Sequence, residues 1–313
     1  MPSRFVFPVV FFFLLLAGAS AEAAPDSQTV RRNPAVQSAA SIRVDVNLAL
    51  VPVTVTDNMG RNVLGLVRDN FRVLDGSEPR PIVSFSRQDA PISVGLVFDC
   101  SRSMTGKFRI SREAPSQLFA QLNPEDEAFL ITVSDRAEMR SDFTSNFQDI
   151  QNALLFAYPH GSTSLVDAVY LGLQKLKHAR NPRKALIVVS DGGDNNSRYA
   201  MREVSGLAVE ADTQIFTICL YFNPATEEEV RGPDLLHKLS DLTGGVQYMI
   251  GDLNLLRDAM TRIGVTLHNQ YVLGIVPPPA APQGKYRRIK VQLVLPPGSP
   301  RLQIFARPSY YVP

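Results

Sequence analysis

The centre of the chain alternates between uniformly apolar runs and segments with helical spacing. Four runs are apolar at almost every position, and they occupy residues 92–98, 127–134, 184–190 and 213–221. The lack of a polar face is typical of strands that are covered on both sides. Apolar residues at helical spacing lie between or after these runs, as in residues 164–179 and 252–267. This alternation predicts an α/β unit over residues 91–267, in which a doubly wound, mostly parallel sheet carries helices on both faces.

Several of the predicted helices have recognisable ends. Residues 108–122 have an apolar face that contains Pro115, which predicts a kink or a late helix start. Ser164 stands directly before another apolar face and is a candidate N-cap. Residues 233–245 begin with proline and end with two glycines, so we expect a helix that starts at Pro233.

The two ends of the chain have the period of two that is typical of strands. Residues 41–90 alternate apolar and polar positions and include the turn signal Asp75-Gly76. Residues 268–313 contain three further strand patterns, which are separated by proline-rich loops. A C-terminal segment this short is unlike an independent domain. We therefore predict that the N- and C-terminal β segments pair in one β-rich domain, with the α/β unit inserted between them.

The N-terminus has the pattern of an export signal. Arg4 precedes an apolar block at residues 5–17, and small residues follow up to Ala21. This predicts a signal peptide over residues 1–21 and a flexible leader over residues 22–40. The apolar block is shorter than the roughly 20 residues that span a membrane. An uncleaved N-terminal anchor is the alternative to a cleaved signal peptide. We expect a periplasmic, cell-surface or secreted protein with no membrane span after cleavage.

Composition and charge exclude some classes of function. The chain has 313 residues, of which 45% are hydrophobic, and a formal net charge of +2. This is a globular composition without the broad basic field that nucleic acid binding requires. The two cysteines, Cys100 and Cys219, fall in or after different predicted strands, so we expect two separate buried thiols. No zinc-binding motif is present in the sequence.

Oxygen-bearing side chains follow the predicted strands or precede a helix. Asp99, Ser101 and Ser103 come after the first apolar run, and Asp191 comes directly after the third. Thr163 stands just before a helix. In an open α/β sheet such positions meet at the carboxyl edge of the strands. One serine alone would be read as a helix cap, but two carboxylates and three hydroxyls together predict a site for Mg²⁺.

Three short motifs match a known metal site in residue type, order and spacing: Asp99-x-Ser101-x-Ser103, Gly161-Ser162-Thr163 and Val189-Ser190-Asp191-Gly192. They resemble the metal ion-dependent adhesion site of von Willebrand factor type A domains, which are also the inserted domains of integrins. The resemblance covers a little over half of the chain. The flanking segments resemble those of a bacterial group in which such a domain lies between strand-rich ends.

The resemblance implies a role for each of the five residues. Ser101 and Ser103 would bind the metal directly, and Thr163 would do so in the ligand-bound state. Asp99 and Asp191 would act largely through bound waters. A Glu or Asp of a protein partner would complete the coordination of Mg²⁺, Mn²⁺ or Ca²⁺. The implied function is metal-dependent protein binding or adhesion, without chemistry on the partner.

Two residues depart from the pattern of the family. Arg102 stands where the family often has glycine, and Cys100 replaces a commoner small polar residue. The Arg102 guanidinium could attract an acidic partner or could pair with Asp194. Neither change removes a ligand oxygen.

Two other functions remain open from the sequence. A metal-dependent hydrolase would also use carboxylates, but no histidine belongs to the predicted site and the Gly-x-Ser-x-Gly motif is absent from the sequence. A structural envelope subunit would keep the fold and lose metal-dependent binding. We favour a non-enzymatic binding protein.

Overall fold

The computed structural model describes residues 48–222, 224, 226–279 and 285–312. The predicted signal peptide, the predicted leader and the first residues of the 41–90 segment lie outside this part. Within it, every helix is too short or too polar to cross a membrane.

Strands and helices of the described part are numbered in chain order. The strands are β1 (Ala49–Thr56), β2 (Phe71–Asp75), β3 (Glu78–Arg80), β4 (Ile82–Gln88), β5 (Ile92–Asp99), β6 (Glu127–Val133), β7 (Ala137–Thr144), β8 (Arg183–Ser190), β9 (Gln214–Leu220), β10 (Gln247–Ile250), β11 (Gln270–Ile275), β12 (Tyr286–Leu293), β13 (Gln303–Ala306) and β14 (Ser309–Tyr311). The α-helices are α1 (Phe108–Ser111), α2 (Pro115–Phe119), α3 (Phe147–Leu155), α4 (Leu165–Leu176), α5 (Met201–Glu210), α6 (Glu227–Thr243) and α7 (Leu256–His268).

The central sheet has the strand order β10-β9-β8-β5-β6-β7. All neighbouring strands are parallel except β7, which is antiparallel to β6 at one edge. Every residue of β5, β6 and β9 is buried, because helices cover both faces. The predicted α/β fold with a doubly wound, mostly parallel sheet is confirmed.

Two hydrophobic layers lie on opposite faces of the central sheet. Successive side chains of a strand point to opposite faces. Leu96 and Phe98 of β5 accordingly belong to one layer, which α2 and α7 help to form, whereas Val97 belongs to the other, which α4 and α5 help to form. Gly95 leaves room for the side chains that pack against β5, since a Cβ there would lie 2.4 Å from the Phe129 ring.

The flanking segments form two antiparallel sheets around a separate core. One sheet has the order β13-β1-β11-β4 and the other β14-β12-β2-β3. Both sheets therefore mix strands from before and after the α/β unit. Apolar side chains from the two sheets, including Val53, Val73 and Tyr271, pack in one cluster. The predicted flanking β-rich domain, built from N- and C-terminal segments, is confirmed as part of the fold.

The predicted start of α6 at Pro233 is wrong. The helix begins at Glu227, six residues earlier, and contains Pro233 in its interior. Thr226 is the N-cap, and its hydroxyl accepts a hydrogen bond from the backbone N–H of Glu229 at 3.2 Å. A capped first turn that includes Glu227 and Glu229 complements the helix dipole, so the helix forms despite the proline. Gly244 ends it in the left-handed conformation.

Candidate functional site

Asp99 anchors the first loop of the predicted site. It is the last residue of β5, and it is completely buried. Its Oδ1 accepts a hydrogen bond from the backbone N–H of Ser101 at 2.8 Å, and its Oδ2 accepts one from the Ser190 hydroxyl at 2.5 Å. The hydroxyl oxygens of Ser101 and Ser103 are 3.0 Å apart. The structure therefore brings the first three predicted ligands together at the carboxyl edge of the sheet.

Asp191 presents two carboxylate oxygens with different surroundings. The residue directly follows β8 and is 2% exposed. Its Oδ2 lies 2.9 Å from the ammonium of Lys107. Its Oδ1 is buried and has no hydrogen-bond partner in the described part of the chain. Because an unpaired buried acceptor costs roughly 1–3 kcal/mol, this oxygen is a candidate contact for a ligand that the chain itself does not supply.

Thr163 lies in a loop that hydrogen bonds join to the other two. The backbone N–H of Arg102 donates to the carbonyl of Gly161 at 3.2 Å. The backbone N–H of Thr163 donates to Oδ1 of Asn195 at 3.0 Å, and the N–H of Asn195 returns a bond to the carbonyl of Thr163 at 3.1 Å. The three loops thus form one connected unit, although they are far apart in sequence.

A cleft of about 430 Å³ opens over these loops. The predicted ligands Ser101, Ser103 and Thr163 line it, together with Arg102 and Glu229. Asp99 and Asp191 lie among the buried residues rather than on the cleft wall. The three hydroxyl-bearing residues therefore line the cleft, although Ser101 and Thr163 are only 1% and 4% exposed, and the two carboxylates do not line it.

The two buried carboxylates affect each other electrostatically. Burial, followed by the nearby negative charge of Asp191, raises the pKa of Asp99 to about 7, while hydrogen bonds from Ser190 and Ser101 oppose the rise. Two carboxylates in one buried site repel each other unless a cation compensates them. Lys107 supplies one positive charge at this place.

Asp194 has a structural role at the start of α4. Its Oδ1 accepts hydrogen bonds from the backbone N–H of Leu165 at 2.9 Å and from the Ser197 hydroxyl at 2.5 Å. Burial raises its pKa. Asp194 therefore stabilises the N-terminus of a helix, and the alternative pairing of Asp194 with Arg102 is not found among the ion pairs of the described residues.

Asp167 braces the loop that follows the Asp191 motif. Its Oδ1 accepts hydrogen bonds from the backbone N–H groups of Arg198 and Tyr199 at 2.8 Å and 3.0 Å. Burial alone would raise the pKa of Asp167, but these hydrogen bonds and the Arg198 charge hold it below its ordinary value.

Sequence reasoning missed two charged residues at the site, Lys107 and Asp135. Asp135 follows β6 and lines the cleft, and its Oδ1 accepts a hydrogen bond from the backbone N–H of Ser162 at 2.7 Å. A Cβ at Gly161, whose φ is +69°, would lie 2.5 Å from the Asp135 carboxylate. Asp135 could have been found by the rule used for Asp99, since it also follows a parallel strand. Lys107 had no such signal, because its partner is 84 residues away.

The donor set fits a hard divalent cation better than a soft one. In the described part of the chain, no group of three or more His, Cys, Asp or Glu side chains is placed to hold a metal. A cation at this edge would therefore need hydroxyl oxygens such as those of Ser101 and Ser103. Hydroxyls, carboxylates and waters are the ligands that Mg²⁺ prefers, and the unpaired Oδ1 of Asp191 is one acceptor that such a shell would satisfy.

The family comparison agrees with this geometry. Residues 94–193 match the model of the von Willebrand factor type A domain. The matched range contains all five predicted ligands, from β5 to the residues after β8. These residues therefore match the domain family that the motifs predicted, whereas the metal site stays a prediction. No curated protein sequence matches the chain.

Three solved structures from bacteria illustrate what this chain is similar to. A von Willebrand factor type A protein from Catenulispora acidiphila matches with a TM-score of 0.51 at 12% identity, over 75% of each chain. BatB from Bacteroides thetaiotaomicron gives 0.46 at 16% identity, over 56% of this chain and 98% of its own. The vWF domain of the type V pili tip protein Mfa5 from Porphyromonas gingivalis gives 0.48 at 11% identity, over 57% and 95%. At these identities the first match supports the fold alone.

Proposed function

We propose that this protein is an exported, non-enzymatic binding protein that captures a protein partner through a divalent metal. Asp99, Ser101, Ser103, Thr163 and Asp191 hold the ion, with Mg²⁺ as the first choice and Mn²⁺ or Ca²⁺ as alternatives. A Glu or Asp of the partner supplies the remaining ligand from the open side of the cleft. Metal, partner and export rest on the sequence motifs and on the chemistry of the site.

One observation carries the metal proposal. The buried Oδ1 of Asp191 has no hydrogen-bond partner within the described residues, and it belongs to the same site as a second buried carboxylate and two adjacent hydroxyls. Among the described residues, Lys107 is the one cation that pairs with either carboxylate, so ionisation of both leaves a net negative charge. A divalent cation would neutralise that charge and would use the unpaired oxygen, either directly or through water.

Exposed apolar side chains near the cleft support a protein partner. Leu155 and Phe156 at the end of α3 are 53% and 81% exposed, and Tyr158 is 65% exposed. The Tyr158 ring packs on His160 with centroids 4.8 Å apart, and the backbone N–H of His160 donates to the carbonyl of Cys100 at 2.8 Å. Tyr158 is thus linked through His160 to the loop that follows Asp99. Exposed aromatic side chains beside a polar site are typical of protein interfaces.

The hydrolase alternative receives little support from the geometry. A serine and a histidine do meet near the cleft, since the Ser134 hydroxyl lies 3.1 Å from Nε2 of His160. Ser134 is buried, however, and lies outside the residues that line the cleft. Nδ1 of His160 faces the carbonyl of Tyr158 at 2.9 Å rather than a carboxylate. The pair therefore stabilises the loop and offers no accessible nucleophile.

Calorimetric titration of the full chain with Mg²⁺ and Mn²⁺ tests the metal site. We expect saturable binding that weakens about 10- to 100-fold in Thr163→Ala, in line with the loss of one metal contact. Ser162→Ala is the matched control, because Ser162 lines the same cleft but is not a proposed ligand. The absence of saturable binding by folded protein, or an equal loss in both variants, would refute the metal site.

Partner capture from an envelope fraction distinguishes adhesion from a structural role. Binding through the metal requires that a partner retained by the wild-type protein is released by EDTA and is not retained by Thr163→Ala. A partner that stays bound in EDTA and to the variant would instead support the structural-subunit alternative.

A further inference from the structure

A second cavity lies at the opposite edge of the central sheet from the candidate metal site. Its volume is about 240 Å³. Arg183 and Gln214, the first residues of β8 and β9, contribute to its lining, whereas Asp99 and Asp191 lie at the other ends of β5 and β8. Strands β1 and β11 of the flanking domain close it from the other side through Pro52 and Val272. The cavity therefore lies where the flanking domain meets the α/β unit.

Most of the cavity wall is apolar. Leu50 and Pro52 contribute from β1, Val209 comes from the end of α5, and Leu242 comes from the end of α6. Leu50 is 48% exposed, whereas Val272 is buried. The cavity thus reaches solvent on the Leu50 side and ends in an apolar interior, which is typical of a small-molecule pocket.

The lining of this cavity carries more positive than negative side chains. Three cations, Arg183, Lys184 and Arg307, line the cavity with a single carboxylate, that of Asp212. Arg307 uses that carboxylate in an ion pair. Two positive charges are therefore left without an acidic partner in the lining.

The three cations differ in how many of their hydrogen-bond donors have a partner in the protein. Arg183 donates to the backbone carbonyl of Ala90 at 2.8 Å and to that of Leu267, so neutral acceptors satisfy its hydrogen bonds. Nε of Arg307 is buried without a hydrogen-bond partner among the described residues. Lys184 makes no side-chain hydrogen bond or ion pair with any residue that the structure describes. The cavity consequently offers a free ammonium and an unsatisfied guanidinium nitrogen to a ligand.

We propose that this cavity binds a compact organic anion, namely a monocarboxylate with a short apolar tail. The carboxylate lies against Lys184 and Arg307, and the tail lies against Pro52, Val209 and Leu242. The volume corresponds to about eight water molecules at roughly 30 Å³ each, which suits a ligand of about eight non-hydrogen atoms, such as hexanoate. This inference is independent of the metal site.

Binding of hexanoate to the full chain tests the proposal, by calorimetry and by saturation-transfer NMR. We expect saturable hexanoate binding and no comparable binding of hexylamine, which has the same tail and the opposite charge. Inorganic phosphate, which has no tail, should bind at least about 10-fold more weakly. Equal binding of hexylamine, or phosphate binding as tight as that of hexanoate, would overturn the proposal.

Two variants locate the ligand inside the cavity. Lys184→Gln should weaken hexanoate about 10-fold, because it removes a charged hydrogen-bond donor. Val209→Trp should abolish binding by filling the cavity without changing its charge. Lys177→Gln is the matched control, since Lys177 pairs with Glu210 outside the cavity. Thermal melting checks that each variant folds. Hexanoate binding that is absent from the wild type, or unchanged in both cavity variants, would refute the assignment.

Discussion

At the scale of single residues, Lys107 determines how much negative charge the candidate metal site keeps. Its ammonium is 2.9 Å from Oδ2 of Asp191, and its side chain is only 13% exposed. The ion pair is therefore largely shielded from solvent. Its electrostatic interaction is stronger than it would be in water, because the local dielectric constant is lower. Lys107 compensates one of the two buried carboxylates when no metal is bound, and its charge opposes the binding of a cation.

Replacement of Lys107 by Met should therefore have opposite effects on stability and on metal affinity. Without metal, Lys107→Met should lower the free energy of unfolding by about 3 kcal/mol, because it leaves a buried carboxylate uncompensated. Mg²⁺ should bind about 10-fold more tightly, since a nearby like charge has been removed. Thermal melting with and without Mg²⁺ and calorimetric titration measure both effects.

Lys175→Met provides the control for this variant. Lys175 pairs with Asp142, which is 71% exposed, so this pair should contribute about 1 kcal/mol or less. Neither Mg²⁺ affinity nor the response of the melting temperature to Mg²⁺ should change. Weaker Mg²⁺ binding in Lys107→Met would show that Lys107 supports the ion instead of opposing it.

At the scale of elements, two glycines bring α6 against the Asp191 loop. Gly192 has φ +86°, and a Cβ there would lie 2.4 Å from the Cα of Gly232. In the opposite direction, a Cβ at Gly232 would lie 2.4 Å from the backbone oxygen of Asp191. Backbone therefore touches backbone, and neither position has room for a methyl group. The position of α6 and the position of Asp191 are coupled through this contact.

Gly232→Ala should push α6 and the Asp191 loop apart. We expect a loss of about 1–3 kcal/mol in the free energy of unfolding from overpacking, together with weaker Mg²⁺ binding. Gly206→Ala is the matched control, because Gly206 also lies in a helix, α5, and a Cβ there meets no atom within 4 Å. That change should stabilise the protein by about 0.5–1 kcal/mol. Denaturant unfolding measures the free energy of unfolding of both variants. Equal stabilities would contradict the packing argument.

At the scale of the whole molecule, a charged cluster joins the two connections between the flanking domain and the α/β unit. Nδ1 of His268, the last residue of α7, lies 2.9 Å from Asp89, which follows β4. Nε2 of His268 lies 3.1 Å from the buried Asp126 carboxylate. Arg183 donates to the carbonyls of Ala90 and Leu267 in the same two connections.

This cluster should make the junction sensitive to pH. The contact with Asp126 is the largest cause that raises the pKa of His268, and Asp89 adds to it, while burial opposes the rise. Arg183 interacts electrostatically with the same two carboxylates, Asp126 and Asp89. The protonated imidazole is therefore favoured by folding. Its contribution is complete below the pKa of an unfolded histidine and is lost as the pH rises through the raised pKa of the folded protein.

The free energy of unfolding of the wild type should accordingly fall as the pH rises above the ordinary pKa of histidine, about 6.5. His268→Gln should remove this part of the pH dependence and should cost about 1–3 kcal/mol at low pH. His178→Gln is the control, because His178 is not part of this cluster. Urea unfolding at a series of pH values measures the difference. A pH profile that is the same in wild type and His268→Gln would exclude the junction as its source.

Some elements could not be predicted from the local pattern. β7 has half-buried and exposed residues throughout and pairs only at the edge of the sheet. α5 contains Gly206, and β10 has four residues. Strands buried on both faces can be recognised in the sequence as apolar runs. Edge strands and surface helices depend on the neighbour against which they pack, so they have no such pattern.

The sequence by itself determined the α/β class and the inserted order of the segments, and it predicted the five oxygen-bearing residues of the candidate site. Those features follow from burial periodicity and from residue type at strand ends, which are local properties. Only the tertiary structure decided that Lys107 pairs with Asp191, that Gly192 meets Gly232, and that three cations surround one cavity at the junction. These contacts join residues from distant parts of the chain, and no short pattern in the sequence encodes which distant partner a side chain will meet.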